Sequence, residues 1–206
     1  FYIEVTLEDG TKQAGTAFRL GNYLYTAGHV VRGGVKIHLD WKGLAVNEDI
    51  DEILLGFVNT VGYNDNIARL RVPRGYVAMP SLRLATRTAC DYHQLISMNS
   101  NKAIETFTGW AMVDEQYFSA PFATQPGSSG SPVIDRTGKV VAIHFGSNIV
   151  TSSGYVIVDL FAVEPKVGKD LIAQPQCASD DEENELVQRI MNGVRESHNT
   201  LLAKVE

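Results

Sequence analysis

Apolar and polar positions alternate every second residue over most of the first 165 positions of the chain. That is the period of strands with one buried face. Residues 1–7 alternate and stop at Glu8-Asp9-Gly10, a turn composition. Residues 13–20 follow, then a Gly21-Asn22 turn, then 23–26. The same pattern predicts strands at 35–40, 52–58, 67–72, 92–98, 103–113, 116–120, 131–134, 140–144 and 154–160. Asp135-Arg136-Thr137-Gly138 has the make-up of a hairpin turn. No helical stretch separates these segments, so the spacing predicts an all-β barrel or sandwich. A Pro-, Arg- and Gly-rich break near 73–85 divides them into two sets of about six strands, 1–73 and 86–165.

The pattern changes after that. Residues 166–179 show little periodicity and read as a linker, and 180–206 read as an amphipathic helix. Asp180, Asp181, Glu182 and Glu183 crowd its start, where negative charge suits the helix dipole. Leu186, Val187, Ile190, Met191, Val194, Leu201 and Leu202 fall mainly on one stripe. Val187, Val194 and Leu201 are seven apart, a short coiled-coil spacing that Gly193 and His198 interrupt. The expectation is a helix packed on its own barrel or partly frayed, with an oligomerisation element as the other reading.

Composition narrows the function classes. The chain has 206 residues, 44% hydrophobic and 20% charged, an ordinary globular balance. A net charge of −6 argues against a general nucleic-acid binder. There is no apolar run of about 18 residues, so no membrane span is expected, and the first residues lack the basic-then-apolar layout of a signal peptide. Cys90 and Cys177 are the only cysteines, which makes no disulfide framework. No Cys/His cluster has metal-ligand spacing, so neither metal nor cofactor is expected.

Two strings carry chemistry: Thr26-Ala27-Gly28-His29-Val30, and one hundred positions later Gly127-Ser128-Ser129-Gly130-Ser131-Pro132. A serine hydroxyl needs a base to take its proton and an oxyanion hole for the charge that develops on the carbonyl it attacks. His29, with an unperturbed pKa near neutrality, is the candidate base. The glycines let the amides of Gly127 and Ser129 turn toward one point.

These strings resemble the histidine and nucleophile motifs of chymotrypsin-like serine proteases, in the same order along the chain. The resemblance covers about residues 12–163. It implies two six-stranded antiparallel barrels with the active site in the cleft between them. It also implies His29 as general base, Ser129 as nucleophile, and the Gly127 and Ser129 amides as oxyanion hole. The acid departs from the pattern. The family carries Asp-Ile-Ala-x-Leu, and here the string is Asp65-Asn66-Ile67-Ala68-Arg69-Leu70. A gap-free match puts Asn66 at the acid position and Asp65 one residue early, and a one-residue slip turns a side chain to the other face. Three arrangements stay open: a bulge that lets Asp65 reach His29, an orienting Asn66, or a dyad helped by Asp49, Asp51 or Glu52. Asp65 is the favoured acid.

In the subset that cleaves after Glu or Gln, a Thr five positions before the nucleophile and a His about fifteen after it line the primary pocket. Thr124 and His144 stand at those positions. The whole resembles the 3C-like serine proteases of positive-strand RNA viruses, of astrovirus, sobemovirus, arterivirus or torovirus type. What this implies is a polyprotein-processing endopeptidase in the host cytoplasm, acting on a polyprotein or peptide. The closing Val205-Glu206 suits a cut after Glu. Alternatives are a secreted bacterial glutamyl endopeptidase, whose nucleophile region is similar, and an inactive protease-like binding scaffold. An HtrA-like protease fits less well, because Ser131 stands where those carry Gly.

Overall fold

The computed structural model describes residues 1–60, 63–114, 116–147, 151–158 and 160, with the backbone alone at 60 and 63–65. The first half holds eight strands, β1 (Tyr2–Leu7), β2 (Lys12–Thr16), β3 (Phe18–Leu20), β4 (Tyr23–Ala27), β5 (Gly34–Trp41), β6 (Leu44–Asp49), β7 (Leu54–Thr60) and β8 (Tyr63–Arg71). They form two four-stranded antiparallel sheets, ordered β2-β1-β5-β6 and β3-β4-β8-β7. Strand alternation explains why the sheets stack. Ile3, Val5, Ile37 and Leu39 of one sheet and Leu24, Ala68 and Leu70 of the other meet in a single buried cluster.

The second half holds β9 (Asp91–Met98), β10 (Ile104–Val113), β11 (Tyr117–Ala120), β12 (Pro132–Ile134), β13 (Val140–Ser147) and β14 (Ser152–Val156). These close into a six-stranded barrel filled by Leu95, Phe118, Phe122, Val133 and Val141. The mostly β expectation and one of the two closed barrels are therefore present. Among the described residues the first half pairs as two sheets rather than as one closed six-stranded barrel. The expected tail helix at 180–206 lies outside the described residues.

A third cluster joins the halves. Phe18, Leu20, Tyr25, Val58 and Ile67 pack on Val140, Ile143, Ile157 and Leu160. The β3-β4-β8-β7 sheet is thus apolar on both faces, one toward its partner sheet and one toward the barrel. Two short helices interrupt the strands, α1 (Gly28–Val31) and α2 (Ile50–Ile53).

Three differences from the sequence pattern are physical. Residues 13–20 read as one strand, but the chain turns at Ala17, so β2 and β3 lie in different sheets. Ala17 donates its N–H to Phe1 O at 2.9 Å and is fully buried at that corner. Strand β6 pairs only with β5 at a sheet edge and is largely exposed, so its alternation is faint. Residues 50–53 form a helical turn because Ile50 and Ile53, three apart, both reach the core.

Candidate active site

Strand β4 delivers the chain into α1, a single turn whose Gly28, Val30 and Val31 are buried. His29, between them, is left exposed at the edge of the first half. Ser129 comes from the other half, in the loop between β11 and β12. The shared apolar cluster brings the two together, with His29 Nε2 3.0 Å from Ser129 Oγ. The Ser129 hydroxyl also lies 3.2 Å from the carbonyl of Phe145 on β13. Burial, and secondly the Arg32 guanidinium, hold His29 below its ordinary pKa.

The loop that carries Ser129 is fixed from several sides. Gly130 N–H donates to His144 O at 2.8 Å, and His144 N–H donates to Ser131 O at 2.9 Å. Thr16 N–H donates to Ser129 O at 2.9 Å. Gly130 has φ +89°, and a Cβ there would lie 2.1 Å from Thr16 O and 2.3 Å from Thr26 Oγ1. Only glycine fits that approach. Gly127 has φ +95°. Its carbonyl accepts from Thr16 Oγ1 at 3.0 Å, and Thr16 Oγ1 in turn accepts from Met98 N–H at 2.9 Å.

The Ser128 carbonyl accepts from both the amide, at 3.0 Å, and the hydroxyl of Ser131. In a trans peptide the next N–H points the opposite way, so Ser129 N–H is turned away from Ser131. Among the described residues no backbone carbonyl accepts from the Gly127 or Ser129 amide.

Behind the loop, Thr124 Oγ1 lies 3.3 Å from His144 Nε2. His144 is fully buried, and Thr124 is half-buried. A third group belongs to this cluster. Ser152 Oγ lies 3.2 Å from Thr124 Oγ1 and donates to Phe122 O at 2.9 Å. Ser152 carries no motif, and the pairing of β14 with both neighbours, Ser152 opposite Ala120 of β11 and Ser147 of β13, puts it there. Thr16 was equally silent, because its partner Gly127 is 111 positions away.

The acid candidates separate. Asp65 lies on the β8 backbone, and its side chain is outside the described residues. Asn66 is buried. Asp49 is exposed and paired with Lys36, and Asp51 and Glu52 are exposed on α2. Among the described residues no cluster of His, Cys, Asp and Glu could hold a metal.

Residues 13–143 match the trypsin-like peptidase domain. The chain belongs to that family: it is a trypsin-like serine protease domain, a hydrolase. It is 41% identical over 206 residues to the non-structural polyprotein 1A of avian nephritis virus 1, across 99% of this chain and 19% of the polyprotein. The chain thus spans between about a tenth and a fifth of the length of the curated relatives it matches. The solved serine protease of a human pathogenic astrovirus matches with TM-score 0.59 and 25% identity, over 76% of this chain and 88% of that one. Tobacco etch virus protease, complexed with product, matches with TM-score 0.64 over 84% and 82% of the two chains. At 18% identity that likeness speaks to the fold alone. No described helix is long and apolar enough to cross a membrane.

Proposed function

We propose that this chain is an endopeptidase that releases proteins from a viral polyprotein by acyl transfer, cutting after Glu or Gln. The observation that carries the reading is the 3.0 Å contact between His29 Nε2 and Ser129 Oγ. Ser129 Oγ attacks the scissile carbonyl while His29 Nε2 takes its proton. The Gly127 and Ser129 amides hold the oxyanion that forms. His29 then gives the proton to the leaving amine, and water, deprotonated by the same nitrogen, hydrolyses the acyl ester. Asp65 orients the imidazole. Its strand pairs with β4, where Ile67 lies opposite Ala27, two residues before His29.

Thr124 and His144 receive the side chain that precedes the cut. A hydroxyl and an imidazole suit a side-chain oxygen, and an apolar group there would leave them unpaired. The polyprotein relatives favour a polyprotein substrate, and the place of action proposed with it is the host cytoplasm. Residues 1–73 and 86–165 act as the two halves of the protease, and 166–206 serve contacts with a second copy or a replication protein.

A peptide library cleaved by the full chain tests this, with Ser129→Ala as control. The expected profile is dominated by Glu or Gln before the cut, and the control loses at least about 10⁴-fold in turnover. A basic or aromatic preference overturns the pocket, and undiminished cleavage by the control overturns the mechanism.

A further inference from the structure

We infer that Ser152 is a specificity-positioning residue: a buried hydroxyl relay from Phe122 O through Ser152 and Thr124 holds a proton on His144 Nε2. The inference rests on the pocket assignment above and deepens it. Ser152 is fully buried, as is His144. The three contacts run Ser152 Oγ to Phe122 O at 2.9 Å, Thr124 Oγ1 to Ser152 Oγ at 3.2 Å, and His144 Nε2 to Thr124 Oγ1 at 3.3 Å.

Proton counting fixes their direction. A carbonyl only accepts, and a hydroxyl has one proton to give. Ser152 gives its proton to Phe122 O, so at its contact with Thr124 it accepts. Thr124 therefore gives its proton to Ser152, and at its contact with His144 it too accepts. The remaining donor is His144 Nε2–H. A side-chain oxygen of Glu or Gln can take the Nε2–H in place of Thr124 Oγ1, whereas donors such as Lys or Arg find no acceptor at that nitrogen. Without Ser152 the Thr124 proton is released and can turn onto His144 Nε2, which then becomes an acceptor and loses the polarity that selects an oxygen.

The test is the tautomer of His144, read from nitrogen-15 histidine spectra of the full chain at a pH where the ring is neutral. The His144 signal is identified by its loss in His144→Gln. The wild-type chain is expected to show the Nε2–H form, and Ser152→Ala a rise in the Nδ1–H form. In parallel, Ser152→Ala should lower kcat/KM for Glu or Gln peptides about tenfold, the scale of one lost hydrogen bond, while labelling of Ser129 by a small fluorophosphonate stays at the wild-type rate. An Nδ1–H wild type overturns the relay, as does a variant with unchanged tautomer and unchanged preference. An Nε2–H wild type that cleaves without regard to the preceding residue supports the relay and overturns the pocket assignment instead.

Discussion

The Ser129 hydroxyl has one proton and two acceptors within reach, His29 Nε2 at 3.0 Å and Phe145 O at 3.2 Å. Only a neutral imidazole can take that proton. His29 is favoured in its neutral form by burial first and by the Arg32 charge second. In the proposed mechanism a lowered pKa keeps His29 competent as a base as pH falls below the usual histidine range, and that competence is lost only as pH drops through the lowered value. Arg32→Gln removes the second cause. The acid limb of kcat/KM for a small ester is expected to move to higher pH in this variant, and an unmoved limb would show that Arg32 does not act on the base. Stability follows the same sign: protonating His29 is less favourable in the folded chain than in the unfolded one, so its contribution is lost as pH falls.

At the scale of elements, the corner between β2 and β3 matters most. Thr16, almost fully buried there, ties the Gly127 carbonyl of one half and the Met98 amide of the same barrel to the first half through one hydroxyl. Thr16→Val keeps the shape and leaves both partners unsatisfied. A loss of about 2–4 kcal/mol is expected from urea unfolding, and a change below about 0.5 kcal/mol would mean the hydroxyl ties nothing. This corner was not legible in the sequence, because residues 13–20 read as one extended segment and no turn composition marks Ala17 as the bend. Strand β6 was missed for the opposite reason, since an edge strand needs no apolar face. The hairpin at Asp135 was readable, because its means are local. Asp135 Oδ1 accepts from Thr137 N–H, Thr137 Oγ1 and Lys139 N–H, and Gly138 takes φ +82°.

For the whole molecule, the apolar cluster between the halves is what turns two distant strings into a site. Both strings were legible as candidate chemistry, because the histidine and the serine carry their own local geometry in glycines and strand ends. Their distance was not, since it depends on Tyr25 and Ile67 packing on Val140 and Ile143. The relay through Ser152 was hidden for the same reason. Its groups meet only once β14 pairs in register with β11 and β13. The central claim is that this packing lets His29 draw the proton from Ser129. The rate of Ser129 labelling by a fluorophosphonate, in the full chain and in His29→Ala, measures it directly. The account predicts labelling at Ser129 that slows by about 10³-fold or more in the variant. Equal rates in the two chains, or no labelling of the wild type, would contradict it.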